Sequence, residues 1–280
     1  MKSFDSIMPI DCLCIVDDIL IAGGYQFTEA SRSGGVYLYD IYSMQIKNEF
    51  ETTGILDCKK NEEMVFFAGC EEFGAICLKN SAIDKICTPA INTYVCVNSS
   101  SVFVCDIMGH IRQFEGYGLV NSRDTIIGEE PIWVVEAYGD SIACGSEDGM
   151  LRFIDTRSWS VHQEIKRKSG VTSIYHTENY TYVGSYDEHI EIVDRRKYDI
   201  IERKYVGGGV WRICYFDGKY FVACMYEGLK VYGDDFSLLK HYATESIAYG
   251  LALSHDMVAF ASFYDKKIHK IEFEDIKSID

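Results

Sequence analysis

The chain has 280 residues, 48% apolar and 25% charged, enough to bury a sizeable core and too apolar for disorder. Its 27 basic and 43 acidic residues give a net charge of −16 and a pI near 4.8. Such a surface excludes a protein that grips nucleic-acid phosphates or an anionic membrane, and it suits a cationic ligand or a basic patch on a partner.

Three prolines and 38 aromatic residues, with Val and Ile throughout, favour strands over helices. The opening Met1-Lys2-Ser3-Phe4-Asp5 lacks a signal-peptide core, and residues 3–8 are expected to form a strand. The longest uncharged stretch, 86–105, contains Asn92, Asn98 and three successive serines, too polar to span a bilayer. The eleven cysteines lie mostly in apolar runs such as Val95-Cys96-Val97, without zinc-ribbon spacing. They read as buried free thiols of a protein in a reducing cytosol.

One unit recurs along the chain: an apolar run, a short polar gap, a second run ending in a small residue, a tight turn and a third run. The first apolar residues after the turns are Val36, Ile76, Ile111, Leu151, Ile190, Leu229 and Ile268, spaced by 40, 35, 40, 39, 39 and 39. Within Leu151-Arg152-Phe153-Ile154-Asp155 and Ile190-Glu191-Ile192-Val193-Asp194 the period is near two, as in half-buried strands. The links are of hairpin length and rich in Gly, Asp, Ser and Asn. Four antiparallel strands repeated seven times predict an all-β chain, a single seven-bladed β-propeller domain over 1–280. The last unit (247–253, 257–262 and 267–273) is one strand short, and the strand at 3–8 is expected to complete it. The units look like WD repeats that have lost the namesake dipeptide, because Tyr39, Ile154 or Val193 precedes the blade-ending Asp.

There is no Gly-x-Ser-x-Gly elbow, Gly-Lys-Ser/Thr phosphate loop or His-Glu-x-x-His helix. Gly207-Gly208-Gly209 precedes a strand, so it reads as a connection between blades. Asp148, Asp187 and Asp265 share one position in three units and read as turn braces. The seven histidines have no metal spacing. His189, in the turn Tyr186-Asp187-Glu188-His189, has polar neighbours able to tune an imidazole for proton transfer. His269 reads as outward-facing on its strand. First strands line a propeller's channel, so Trp133, Trp211, Arg212 and Tyr249 are predicted to converge on one mouth beside Tyr186, His189 and Tyr264. These aromatics either pack between blades or form an acid-rimmed site for a quaternary ammonium group, at about 0.5–2 kcal/mol per ring.

The strings Gly207-Gly208-Gly209-Val210-Trp211-Arg212-Ile213 and Val222-Ala223-Cys224-Met225-Tyr226-Glu227-Gly228 resemble the sixth blade of the diphthine methyl ester hydrolases, WD-repeat enzymes of diphthamide biosynthesis. Gly184-Ser185-Tyr186-Asp187-Glu188-His189-Ile190 is similar to their fifth-blade turn, and Gly145-Ser146-Glu147-Asp148-Gly149 to their fourth. Ser246-Ile247-Ala248-Tyr249-Gly250 and Ser262-Phe263-Tyr264-Asp265 are similar to the seventh. The resemblance covers about residues 129–273. Lys166-Arg167-Lys168 stands where the family has a histidine, and Ser254-His255-Asp256 replaces a long insertion.

The resemblance implies hydrolysis of the methyl ester of methylated diphthine on translation elongation factor 2, releasing methanol. It implies a cytoplasmic monomer with no cofactor or metal and no direct contact with nucleic acid or membrane. His189 would act as general base, oriented by Asp187 or Glu188, and Arg212 or amides near 208–210 would hold the oxyanion. Trp133, Tyr186, Trp211, Tyr249 and Tyr264 would cage the substrate's trimethylammonium group. A non-catalytic WD scaffold holding protein partners is the alternative.

Overall fold

The computed structural model describes residues 1–28, 31–116 and 118–277. These form seven four-stranded antiparallel sheets, the architecture of a seven-bladed β-propeller, followed by one helical turn, Glu274–Lys277. Blades 1 to 6 each take four consecutive strands, beginning with Ile10–Val16 in blade 1 and ending with Leu238–Tyr242 in blade 6. Blade 7 takes Ala248–Leu253, Met257–Ser262 and Lys267–Glu272, with Lys2–Asp5 paired along its outer edge. No helix among the described residues is long and apolar enough to cross a membrane.

The sequence of each strand follows from its distance to the axis. First and second strands are covered on both faces by neighbouring blades, so they read as continuous apolar runs rather than alternating ones. Ile10–Val16 is buried throughout, and so are Val65, Phe66, Phe67 and Ala68. Outer strands such as Ile200–Tyr205 are largely exposed and polar. Close approach of adjacent blades needs a small residue where the second strand meets the next blade. A Cβ on Gly145 would lie 2.2 Å from a methyl of Val171, and one on Gly184 2.2 Å from a methyl of Val210. Eight of the eleven cysteines are buried and all are free, while Cys87 is exposed.

His269 departs from the sequence expectation. It is 4% exposed, with Nδ1 2.8 Å from the Ser3 hydroxyl and Nε2 2.8 Å from that of Ser262. The cause is the strand Lys2–Asp5, which covers Lys267–Glu272 and makes it internal. The ring also stacks on Phe260 at 4.6 Å. Burial lowers the proton affinity of this imidazole below its ordinary range.

His269→Ala leaves the buried Ser262 hydroxyl and the exposed Ser3 hydroxyl without their shared partner and is expected to cost about 1–3 kcal/mol. Urea unfolding measures the loss, and amide exchange should show residues 2–5 losing protection before blades 2 to 5 do. Unchanged protection of residues 2–5 would refute the bridging role.

Candidate functional site

The site begins one residue inside most first strands, and in blade 6 at Trp211, directly before the strand Arg212–Phe216. Pairing with the second strand slips between Ile10 and Cys12, Ile55 and Asp57, Ile132 and Val134, and Ala248 and Leu251. A bulge of this kind re-aims the intervening side chain. The residues at the equivalent positions, Asp11, Leu56, Thr93, Trp133, Trp211 and Tyr249, line one cavity of about 410 Å³ at the channel mouth. The exception is Thr172, fully buried, whose hydroxyl donates to the Val210 carbonyl. Turns between second and third strands add Tyr186 and Tyr226, the first strand's neighbour contributes Tyr25, and Arg32 stands at the exposed rim.

Trp211 is the hub. Its ring lies 4.8 Å from Tyr249, 6.3 Å from Trp133 and 6.4 Å from Tyr186, all tilted rather than stacked. The chain of rings continues from Tyr249 to Phe263 at 5.5 Å, and from Phe263 to Tyr25 and to Tyr264, each at 5.2 Å. The Trp133 indole N–H donates to a Glu147 carboxyl oxygen at 2.5 Å, which fixes that ring at the rim. Four of the aromatics singled out from the sequence, Trp133, Tyr186, Trp211 and Tyr249, therefore share one cavity wall. Tyr264 sits outside it on the rim, 69% exposed.

Arg212 is not in this cavity. Successive residues at a strand start point to opposite sides, so Trp211 takes the mouth and Arg212 turns down the channel. There its Nη2 lies 3.2 Å from Asp57 Oδ1, with both side chains almost fully buried. Its Cζ is 4.8 Å from the Tyr94 ring, and its Nη1 donates to the Trp211 carbonyl at 2.9 Å. Burial works against the guanidinium's charge, but Asp57, then Tyr94 and Asp11, hold it protonated. The expected oxyanion donor is thus half of a buried ion pair.

His189, Asp187 and Glu188 do not line the mouth cavity either. His189 opens the third strand of blade 5, His189–Asp194, two strands out from the channel. Its Nδ1–H donates to the Asp187 backbone carbonyl at 2.6 Å, and its ring lies 5.3 Å from Tyr205 on the outermost strand. Asp187 accepts from the Ser185 hydroxyl at 2.6 Å and from Arg203 at 2.6 Å. Burial raises its proton affinity, but those two partners outweigh it and the net shift is downward. Asp148 makes the same bond to Ser146 at 2.6 Å in blade 4. Glu188 lines a separate surface groove with Tyr205 and Lys230.

Asp11 is the residue that sequence reasoning missed. It is 3% exposed, and its Oδ1 has no hydrogen-bond partner. Burial is the main cause that pushes this carboxyl up to about 8; Arg212 opposes the shift, while Asp57 and Cys58 add to it. The Trp211 Nε1–H is likewise buried and unpartnered. The blade 1 and blade 6 sides of the cavity thus carry one unpartnered acceptor and one unpartnered donor. The missed signal was positional: Asp11 occupies in unit 1 the place that Trp133, Trp211 and Tyr249 occupy in units 4, 6 and 7.

Arg212→Met leaves the buried Asp57 with Lys59 at 3.9 Å as its remaining cation and is expected to cost about 3 kcal/mol by urea unfolding. Adding Asp57→Asn should return part of that loss, and strict additivity would disprove the pairing. Asp11 gives a pH dependence of known sign. Its folded value of about 8 lies above the unfolded carboxylate's roughly 4, so the native state holds the extra proton between them. Wild-type stability accordingly falls as pH rises from 5 to 8.5, and Asp11→Asn, which does not titrate, escapes that term. The urea midpoint of the variant relative to wild type should climb across this range; parallel curves would contradict the assignment.

No family model matches the chain. It is 34% identical over 123 residues to a Dictyostelium discoideum protein named diphthine methyltransferase homolog, covering 35% of this chain and 34% of that one. It is 33% identical over 132 residues to the Homo sapiens diphthine methyltransferase, covering 40% of this chain and 29% of the human one. The chain spans about a third of the length of these curated relatives. Among solved structures, a chain of the mitotic checkpoint complex superposes with a TM-score of 0.82 at 13% identity, covering 96% of this chain and 90% of that one. The computationally designed Ika8 protein superposes at 0.71 with 12% identity, over 96% of this chain and 97% of its own. At such identities the likeness is one of fold, and the fold is a WD-type β-propeller with local sequence similarity to diphthamide-pathway proteins.

Proposed function

We propose that the channel mouth binds a trimethylammonium-bearing methyl ester and hydrolyses it, the substrate being methylated diphthine on translation elongation factor 2. The observation that carries this reading is the cavity in which Trp133, Tyr186, Trp211 and Tyr249 surround a buried carboxyl group. Quaternary ammonium groups cannot donate a hydrogen bond, so they are held by aromatic faces and a nearby negative charge. The names of the two curated relatives supply the pathway.

In this scheme the four rings hold the cation, and the Tyr264 and Tyr226 side chains on the rim guide the modified residue in. Arg32, at the cavity edge, takes the oxyanion role first given to Arg212, since an exposed guanidinium can reach a bound ester and a buried one cannot. His189, Asp187 and Glu188 belong to the surface that meets the protein substrate, outside reach of the bond being broken. Exposed acids on the same face, among them Glu71, Glu130, Glu147 and Glu227, favour a basic segment of that partner.

Incubation with methylated elongation factor 2 should release methanol and leave a product lighter by the mass of one methylene. Trp211→Ala should lower kcat/KM by about 5- to 30-fold, the loss of about 1–2 kcal/mol of cation–π contact. Absence of methanol from the wild-type reaction would end the esterase reading.

A further inference from the structure

The esterase reading leaves the cavity without a proton acceptor, because His189 lies two strands away from it. Among the described residues, the carboxyl group that lines the mouth cavity is that of Asp11. We propose that Asp11 is both the counter-charge for the bound quaternary ammonium group and the acceptor of the attacking water's proton. This rests on the esterase reading for its second half and on the cavity alone for its first.

The geometry points to it in three ways. Asp11 lies at the channel position shared with three of the cavity's aromatic rings, so a cation held by those rings meets its carboxyl. Its Oδ1 is buried without a partner, although buried polar atoms in folded proteins are normally bonded. Among the described residues, the cation acting most on it, Arg212, is already paired with Asp57 at 3.2 Å, and Arg32 stands at the exposed rim of the same cavity. Other titratable and charged groups around Asp11 are Asp57 and Cys58 on the first strand of blade 2, Cys70 after its second strand, Tyr25 and Arg32 in blade 1 and Tyr249 in blade 7. Cys12 adjoins it on its own strand. Burial drives the phenols of Tyr25 and Tyr249 upward as well, so neither competes as an anion.

With the cavity empty, a carboxyl pushed up to about 8 is mostly protonated at neutral pH. A quaternary ammonium ion entering the cavity favours the charged form and expels that proton. The resulting carboxylate takes a proton from water as the water oxygen bonds to the acyl carbon. When the carbon–methoxy bond breaks, Asp11 returns that proton to the departing methoxide. Methanol leaves, and water's second hydrogen remains on the product carboxyl. The substrate's own cation thereby converts Asp11 from an idle acid into a base.

The test uses tetramethylammonium chloride, whose ion cannot titrate, with the full chain at pH 7. Calorimetric titrations in phosphate and in Tris should give different enthalpies for wild type, corresponding to release of between about 0.5 and 1 proton per bound ion. Wild-type affinity should rise by several-fold between pH 6 and pH 8. Asp11→Asn, close to isosteric with the protonated acid, should keep its fold, release no proton and show affinity independent of pH. Equal enthalpies in the two buffers for wild type, or the same proton release from the variant, would overturn the counter-charge role. Against methylated elongation factor 2, Asp11→Asn should lower kcat by about 10²-fold or more. An unchanged kcat would overturn the base role. Proton release without any wild-type methanol production would sink the esterase reading and the base role together while leaving the counter-charge role standing.

Discussion

Seven first strands converge on one axis, and the side chains just inside their starts must share a few ångströms of space. That constraint organises the molecule. Wherever the repeat places a residue at this position, the ring geometry turns it toward its counterparts in distant blades. Leu56 and Thr93 fill that layer blandly, while Trp133, Trp211 and Tyr249 give it a one-sided aromatic wall spanning blades 4 to 7. Asp11 is the only acid in the layer, and it owes its raised proton affinity to the crowding that defines the layer.

Below the mouth, the same convergence forces charges together. Asp57 and Arg212 come from blades 2 and 6, far apart in sequence, and meet at 3.2 Å because both strands face the axis. Further down, Lys59 packs over Tyr94 at 4.5 Å, and the Tyr94 hydroxyl donates to Glu136 at 2.5 Å around a second, larger cavity of about 550 Å³. Burial raises the proton affinity of Glu136, with Lys59 opposing. A dry ion pair gains little net stability over an apolar filling, but breaking one is costly. The Asp57–Arg212 pair therefore acts as a fixed floor that separates the two ends of the channel.

The sequence carried the periodic features because periodicity is local. Strand alternation, turn composition and a 39-residue spacing need no knowledge of the third dimension, and they locate Trp133, Trp211 and Tyr249 in one layer. The residues misjudged are those whose role depends on which side of the chain faces the axis. Arg212 follows Trp211 directly, so a one-residue change in direction moves it from the mouth to the floor. His269 alternates like a surface residue, and only Lys2–Asp5, some 260 positions earlier, makes it internal. Asp11 looked unremarkable because unit 1 lies outside the stretch resembling known enzymes, and its importance comes from strands it never neighbours in sequence. Tyr226 was legible in principle, since it lies in the blade 6 turn equivalent to the one that presents Tyr186 in blade 5.

A binding scaffold and a catalyst place different demands on such a layer. A buried polar atom without a partner costs about 1–3 kcal/mol, a penalty selection can remove by a single change to an apolar residue. Elsewhere among the described residues such atoms either stand alone, as Asn61 Nδ2 does, or belong to ion pairs such as Arg167–Glu191 and Arg112–Asp106 that already neutralise each other. At the mouth, Asp11 Oδ1 and Trp211 Nε1 bring an idle acceptor and an idle donor to one aromatic cavity. Protein docking on the rim needs neither, because exposed loops already supply its hydrogen bonds. In the proposed scheme a small cationic ester would use both, a donor beside Arg32 for its carbonyl oxygen and an acceptor for the proton that hydrolysis displaces. Unsatisfied groups at the mouth are of the kind that a bound reactant relieves, which is the support they lend to the proposed esterase reading.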